Sequence, residues 1–224
     1  MSTNTLPKVI IVFFALSFAM VSVNLFAEES RLSLGLQYQT VENYFNQPPS
    51  SGYGEEAITA YGIKLEAIKS FSKTDNMAFY YGGGIGLLKG SYTVQTAGPT
   101  NGSGALDFGT NLSAFVEGQY AVSADLKIVA RGGFAGNFYF LSAADYSTAP
   151  TFNPYDESVA EGSTEFFSAL GLQYSADKNH PVKLLYRFTL GDYLSAWTDT
   201  VYSSQGDPVA NTYIVSSLEI SYGF

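Results

Sequence analysis

The chain has 224 residues, which is enough for one domain once its ends are accounted for. Its 20 acidic and 11 basic side chains give a formal net charge of −9, which argues against nucleic acid as a partner because phosphate binding needs positive charge. The absence of cysteine excludes disulfide bonds, a thiol nucleophile, a thiolate metal site and a lipid anchor on an N-terminal cysteine.

The first 27 residues predict a signal peptide. Lys8 is followed by an apolar core at residues 9–23, and the small Ala27 suits cleavage before Glu28. The alternative is an uncleaved anchor helix, but the apolar core is shorter than the run of about 20 residues that a membrane helix needs. We therefore expect an exported protein in which residues 28–224 form one domain.

Eight later stretches alternate apolar and polar side chains with a period of two, as a β-strand with one apolar face does. The 17 Tyr, 17 Phe and 22 Gly also favour strands over helices. In chain order the stretches are residues 31–39, 60–71, 79–87, 108–120, 127–140, 166–174, 182–191 and 211–224.

The connections between these stretches alternate in length. Long loops are predicted at residues 43–56, 93–105, 142–162 and 192–210, and short turns at residues 72–76, 123–125 and 176–181. An even number of strands, with long loops at one end and short turns at the other, is typical of membrane β-barrels. Both ends of the barrel domain would then lie at the turn end.

The distribution of glycine and aromatic residues decides which face meets lipid, since a soluble barrel would turn its apolar face inward. Glycine is concentrated on the polar face, which suits a narrow interior, at positions 35, 62, 82, 84, 86, 109, 133, 171 and 191. Aromatic residues gather at both ends of the apolar face, as in interfacial girdles. They are Phe71, Phe79, Tyr120, Tyr174, Tyr222 and Phe224 at the turn end, and Tyr38, Phe108, Phe138, Phe140 and Phe166 at the loop end. The sequence therefore predicts an all-β fold, an eight-stranded antiparallel up-and-down transmembrane β-barrel.

The last stretch places Leu218, Ile220, Tyr222 and Phe224 on one apolar face and ends on an aromatic residue. It resembles the closing strand of eight-stranded bacterial outer-membrane barrels of the OmpA, OmpX and OmpW type. The resemblance covers about residues 31–224 and implies residence in the outer membrane of a diderm bacterium, among its lipids. It also implies that the four residues form the signal bound by the barrel-assembly machinery. We expect no periplasmic domain after the barrel, so the resemblance does not imply peptidoglycan tethering.

Six charged residues share the inward face at mid-height: Lys64, Glu66, Glu117, Arg131, Arg187 and Glu219. From the strand order we expect Glu117 to face Arg131 and Arg187 to face Glu219. Buried charges are retained when they are paired, so the cluster predicts a structural plug, and eight strands leave room only for side chains. The alternative is a switchable pore or a proton path.

Catalysis is not indicated by the sequence. The single histidine, His180, lies in a turn at the end opposite the loops, which argues against a Ser-His hydrolase acting near the outer leaflet. The Gly-rich run at residues 82–86 lies within a strand and precedes no helix, so it does not predict a phosphate-binding loop. We expect no enzymatic activity and no cofactor.

The four long loops contain no Lys or Arg, and we expect either solvated loops or a recognition surface. Their acidic residues are Glu55, Glu56, Asp145, Asp156, Glu157, Glu161, Asp192, Asp199 and Asp207. Asp156, Glu157 and Glu161 are close enough to share a divalent cation, and Tyr155 and Trp197 could contact a partner. The spacing matches no dedicated calcium loop, so the presence of a metal site stays open.

The sequence thus predicts an envelope scaffold and surface-recognition protein with a plugged lumen. The alternative function is an OmpW-like conduit for small apolar solutes. A hydrophobic inner path with an opening through the wall would favour the conduit, and the charged inward cluster argues against it.

Overall fold

Antiparallel strands form most of the computed structural model, which describes residues 30–46, 53–95, 101–146, 158–175, 177, 180–189 and 212–224. The strands are β1 Ser30–Asn46, β2 Tyr53–Lys73, β3 Met77–Gln95, β4 Asn101–Ala121, β5 Leu126–Leu141, β6 Asp145–Tyr146, β7 Val159–Tyr174, β8 Val182–Thr189 and β9 Thr212–Gly223. The described part of the chain contains no helix that is long and apolar enough to cross a membrane. The predicted signal peptide and the loop at residues 192–210 lie outside the described residues.

Eight of these strands pair in a ring. The order is β3-β2-β1-β9-β8-β7-β5-β4, and pairing between β3 and β4 closes it. Each strand pairs antiparallel with the next long strand along the chain, and β1 pairs with β9. The two-residue β6 adds to the loop end of β4. The predicted eight-stranded up-and-down barrel is therefore confirmed.

The two faces of the wall follow the predicted alternation. Apolar side chains such as Leu36 and Ile63 point outward and are more than half exposed, whereas inward-facing Glu117 is fully buried. Exposed aromatic rings lie on the outer face near both ends, including Tyr174 and Tyr222 at the turn end. An exposed apolar exterior around a polar interior is the arrangement of a barrel that meets lipid.

The strands of the structure are longer than predicted and extend into three of the predicted loops. β1 continues to Asn46 and β2 starts at Tyr53, while β7 already begins at Val159. The loop boundaries at residues 43–56, 93–105 and 142–162 are therefore wrong. The reason is that polar residues continue the strand wherever alternate positions bury apolar side chains, as Ile58 and Val94 do.

The apolar face changes sides toward the loop end of the barrel. On β2, Tyr61 and Ile63 point outward, but beyond them Thr59 and Glu55 are outward and Ile58 is buried inside. At this end the inward apolar residues form one cluster: Val41, Ile58, Ala60, Leu88, Tyr92, Val94, Leu106, Tyr139, Leu141 and Val215. This end of the barrel has a polar exterior and an apolar interior, so it stands outside the membrane.

A β-bulge on β4 produces the same change of sides on that strand. Leu106 and Phe108 are two residues apart, yet Leu106 is 1% exposed inside the barrel and Phe108 is 42% exposed outside it. The pairing with β5 shifts register between these two residues, which leaves Asp107 as the extra residue. The bulge therefore turns Leu106 into the apolar cluster.

Inward glycines allow adjacent strands to approach closely at the tight curvature of the wall. A Cβ atom added at Gly62 would lie 1.8 Å from the Leu87 carbonyl oxygen, and one added at Gly171 would lie 1.9 Å from the Leu184 carbonyl oxygen. Because neither backbone can move without breaking the ladder, these positions require glycine.

Candidate functional site in the barrel lumen

All six charged residues predicted to line the lumen are buried inside the barrel, with relative exposures of 0–5%. They project from the inward faces of β2, β4, β5, β8 and β9, close to the middle of the ring. The structure brings five of them into one ion-paired group and places the sixth, Arg187, in a second group. We refer to the two groups together as the lumen belt.

Arg131 is the centre of the belt. Its Nη1 and Nη2 atoms donate to the two carboxylate oxygens of Glu66 at 2.7 and 2.9 Å, and its Nε donates to Glu117 at 2.6 Å. The guanidinium carbon also lies 3.9 Å from the centroid of the Phe115 ring. A planar fork is suited to holding two carboxylates at once. The predicted contact between Glu117 and Arg131 is present, and the register places them directly opposite.

Lys64 joins two strands that are not neighbours. Its Nζ donates to both carboxylate oxygens of Glu219 at 2.7 and 2.8 Å, and it lies 3.1 Å from Glu66. β1 runs between β2 and β9, and its residue opposite Lys64 is Gly35. Because Gly35 has no side chain, Lys64 can extend across β1.

The predicted contact between Arg187 and Glu219 is wrong. The register places Ser217, not Glu219, opposite Arg187. Glu219 lies two residues closer to the turn end, where it forms an ion pair with Lys64. Arg187 instead pairs with Glu165 of β7 and donates to Asn111 at 3.3 Å. Its guanidinium stacks 4.4 Å from the centroid of the Phe167 ring.

Sequence reasoning missed two members of the belt. The Nζ of Lys183 donates to both oxygens of Glu117 at 2.8 Å, and Glu165 accepts from Thr189 at 2.6 Å besides pairing with Arg187. Lys183 shares the inward parity of Arg187, and Glu165 is the inward neighbour of the lipid-facing Phe166. Strict application of the period-two rule would have found both residues.

The belt is electrically balanced. Four cations, Lys64, Arg131, Lys183 and Arg187, pair with four carboxylates, Glu66, Glu117, Glu165 and Glu219. Amide groups extend the network, since Gln119 donates to Glu117 at 2.6 Å and Asn137 donates to Glu165 at 3.3 Å. Buried charges that are both paired and hydrogen-bonded avoid the large cost of isolated ones.

Buried side chains also occupy the lumen on the loop side of the belt. Gln37 donates to Gln39, and Gln39 donates to the Tyr139 hydroxyl at 2.5 Å. Tyr139 belongs to the apolar cluster, where the Tyr92 hydroxyl donates to the Ser142 carbonyl at 2.6 Å. Burial, followed by the nearby Glu56 carboxylate, raises the pKa of Tyr92, so its hydroxyl keeps the proton that it donates.

The Gly-rich run at residues 82–86 lies in β3 and forms a wall of the belt. A Cβ atom at Gly84 would lie 3.1 Å from the Glu66 side chain, and one at Gly86 would lie 3.0 Å from the Gln37 amide oxygen. These glycines therefore leave room for belt side chains. The strand conformation agrees with the prediction that the run is no phosphate-binding loop.

At the turn end, His180 is held by neighbours on two sides. Its Nδ1 lies 2.6 Å from an oxygen of Asp177, and its ring stacks on Tyr222 with the centroids 5.6 Å apart. His180 is nevertheless partly exposed, as predicted for a turn residue. Its position at the end opposite the loops is confirmed.

The four residues of the predicted assembly signal, Leu218, Ile220, Tyr222 and Phe224, point outward and are each about half exposed.

The structure describes only part of the predicted loop cation site. Glu161 is an inward residue of β7 with 1% exposure, and Glu56 is likewise buried in β2, so neither is an open loop carboxylate. Tyr155, Asp156, Glu157 and Trp197 lie outside the described residues. Within the described ranges, no group of three or more His, Cys, Asp or Glu residues could hold a metal ion.

No protein-family model and no curated protein matches the sequence. Among solved structures, the chain is similar to Ail, the attachment invasion locus protein of Yersinia pestis, at 13% identity and a TM-score of 0.45, over 87% of this chain and 97% of Ail. It is similar to Neisserial surface protein A at 9% identity and a TM-score of 0.44, over 86% and 97% of the two chains. The outer membrane protease OmpT of Escherichia coli matches at 8% identity and a TM-score of 0.47, over 89% and 98%.

At these identities the similarity concerns the fold alone. The class of the protein follows from the outward and inward faces of its own strands. A closed ring of strands leaves no open edge, and its exterior is an apolar band with aromatic residues at both ends. The chain is an eight-stranded transmembrane β-barrel whose apolar exterior meets lipid.

Proposed function

We propose that this barrel is an envelope scaffold whose lumen is plugged and whose loops form a recognition surface, without enzymatic activity. The observation that supports the proposal most strongly is the lumen belt, in which eight charged side chains from β2, β4, β5, β7, β8 and β9 meet across the interior. Loops that sit on a rigid, filled barrel are positioned well for contact with a partner.

The plug has two layers. In the belt, opening a path would separate ion pairs such as Arg131 and Glu66, and each uncompensated buried charge costs several kcal/mol, about 3–5. On the loop side, the apolar cluster packs Tyr92, Leu106 and Tyr139 with 1% exposure or less. Water and ions would have to displace both layers.

The alternative function, an OmpW-like conduit for apolar solutes, needs a continuous apolar path. The cluster supplies apolar residues on the loop side, but the belt interposes charge between it and the turn end. A solute that entered from the loops would therefore have to leave sideways through the wall.

Single-channel recording on the refolded protein in a planar bilayer tests the plug. We expect no steady conductance from the unchanged protein, because ions would have to displace the belt and the cluster. Glu165→Gln with Arg187→Gln removes both charges of the second ion pair and keeps two polar side chains there, and it should give brief openings. A large, steady conductance from the unchanged protein would refute the plug, and transfer of an apolar solute without ion current would favour the conduit.

The recognition surface is proposed at the loop end, with the short turns facing the periplasm. Lys69 and Lys73 lie near the turns, with His180 in one of them, whereas the predicted loops carry acidic residues and no Lys or Arg. Asp156 and Glu157 remain proposed ligands of a divalent cation, and Tyr155 and Trp197 remain proposed partner contacts. Calorimetry with calcium tests the cation site: heat that is absent from Asp156→Asn/Glu157→Gln supports it, and no heat above buffer at millimolar calcium contradicts it.

The barrel-assembly machinery is the second proposed partner. It would bind the outward residues at the end of β9, where Tyr222 and Phe224 are exposed. Exposed aromatic residues on the outer face offer binding energy without disturbing the packed lumen.

A further inference from the structure

The turn end of the lumen carries positive charge that the belt does not neutralise. Arg31, Lys73 and Lys127 all lie there, and none of them makes an ion pair with a described residue. The one hydrogen bond recorded from the Lys127 ammonium goes to Gln119, at 3.4 Å. Arg31, Lys73 and Lys183 are also close enough to Lys127 for their charges to act on it. Like charges held close together favour an anion.

A cavity of about 420 Å³ opens beside two of these cations. It is lined by Ser30, Arg31, Ser70, Phe71, Ser72, Lys73 and Tyr80. The lining therefore combines two cationic groups with four hydroxyl groups and contains no carboxylate. The Ser30 hydroxyl is buried and makes no hydrogen bond within the described chain.

The local fold produces this cavity. The pairing between β2 and β3 shifts register between Ser70 and Ser72, so the strand bends where the turn begins. Phe71 points outward, where its ring contacts Phe79 and Tyr81 at centroid distances of 6.2 Å. The bulge leaves the hydroxyls on both sides of Phe71 at the edge of the cavity.

We propose that this cavity is an anion site for a phosphate-bearing ligand on the periplasmic side of the membrane. Arg31 would donate from two guanidinium N–H groups to two phosphate oxygens, Lys73 would supply a second positive charge, and the serine hydroxyls would donate to the other phosphate oxygens. Inorganic phosphate and a phospholipid headgroup share this chemistry. The periplasmic location rests on the proposed orientation of the barrel, whereas binding itself does not.

The test is a titration of the refolded, isotope-labelled barrel with inorganic phosphate, followed by amide chemical shifts. The detergent is dodecyl maltoside, which contains no phosphate, and a chloride titration at equal ionic strength is the reference. We expect saturable shifts near Arg31, Ser70 and Lys73. Arg31→Gln/Lys73→Gln should bind roughly tenfold more weakly or not at all, because it removes the charged hydrogen-bond donors.

Lys69→Gln is the matched control. It removes the same charge from the same strand, but Lys69 lies on the outward face opposite Tyr81 and does not line the cavity. Equal affinity of this variant and the unchanged protein supports the site. Equal weakening by Lys69→Gln and Lys73→Gln would show general attraction to positive charge and would overturn the proposal, as would shifts no larger than those with chloride.

Two further arms identify the source of the phosphate and the role of nearby carboxylates. If a lipid headgroup fills the cavity, amide shifts in nanodiscs of phosphatidylglycerol match the phosphate-saturated state, and added phosphate changes nothing. If the ligand is soluble, phosphate shifts the same amides in nanodiscs too.

Glu28→Gln/Glu29→Gln removes the acidic residues just before Ser30 and should leave phosphate binding unchanged or make it tighter. Loss of binding in that variant would contradict a site built from cations.

Discussion

Lys64 and Glu219 form an ion pair across an intervening strand: the Nζ of Lys64 lies 2.7 Å from a Glu219 oxygen, although β1 separates their strands. Residues 155 positions apart are thereby joined inside the barrel. The contact ties the chain's closing strand to its second strand, on either side of the seam where β1 and β9 meet. Loss of this ion pair should therefore lower the free energy of unfolding of the barrel.

The first prediction concerns this pair. Lys64→Met and Glu219→Gln should each lower the free energy of unfolding by up to about 3–5 kcal/mol, because each leaves a buried charge without its main partner. The double variant should be less destabilised than the sum of the two, by roughly 0.5–3 kcal/mol. Urea unfolding of the refolded protein measures both. Arg187→Met with Glu219→Gln is the comparison cycle, and a smaller coupling energy is expected there because these two residues form no direct ion pair.

Arg131 should be the most sensitive position of the belt. Arg131→Lys keeps the charge but cannot donate to Glu66 and Glu117 together from one planar fork, so it should still lower stability by about 1–3 kcal/mol. Arg131→Met should cost more, since two carboxylates lose a partner. Thermal unfolding followed by gel mobility compares the variants. Equal stability of Arg131→Lys and the unchanged protein would show that charge alone matters.

One added methyl group should destabilise the barrel at an inward glycine and have little effect at an outward one. Gly62→Ala should destabilise the barrel by about 1–3 kcal/mol, because its Cβ would overlap the Leu87 carbonyl. Gly136→Ala is the control, since a Cβ there meets nothing within 4 Å, and its effect should stay within about 0.5 kcal/mol. Unfolding midpoints in urea measure both. An unchanged urea midpoint for Gly62→Ala would show that the neighbouring strands can shift to accommodate the methyl group.

The orientation in the membrane is tested by single thiols, since the chain has no cysteine of its own. Thr93→Cys places a thiol on the exposed outer face at the loop end, and Asp125→Cys places one in an exposed turn. An impermeant maleimide should label intact cells at position 93 only. Permeabilised cells should be labelled at both positions, which controls for reactivity. Labelling of intact cells at position 125 alone would invert the proposed topology.

The last residue should matter for assembly more than for stability. Phe224 is 58% exposed, and its backbone nitrogen donates to the Leu32 carbonyl at 2.9 Å. Phe224→Ala keeps that hydrogen bond and removes only the ring. We expect reduced surface levels in cells and an unchanged urea midpoint for protein refolded in vitro. Normal surface levels would count against an assembly role for the ring.

The sequence predicted the barrel and part of the belt because alternation and short turns determine register. Glu117 and Arg131 are joined through a short turn at residues 123–125, so counting outward from the turn places them opposite each other. Arg187 and Glu219 are joined through a long connection, which gives no point to count from. Their register was therefore unpredictable, and the pairing assumed for them was wrong.

The period-two pattern of the sequence does not predict two other features. The contact of Lys64 with Glu219 crosses β1, and strand order alone does not show which side chains are long enough to cross a glycine. The loop-end strand extensions were missed because their outward residues, such as Thr59 and Ser91, are polar, and polar residues around glycine and proline indicate loops. The bulge at Asp107 also reverses the parity of Leu106, which no sequence pattern reveals.

The change of sides at Tyr61 determines how deeply the barrel is immersed. β2 has 21 residues and extends roughly 70 Å along its own direction, much farther than an apolar band of about 25 Å requires. Strand length therefore cannot fix the vertical position. If the barrel sank, Thr59 and Glu55 would enter hydrocarbon; if it rose, Ile63 would meet water. Both displacements raise the free energy, so the barrel is held at one height, and its loop end stays a constant distance above the lipid surface.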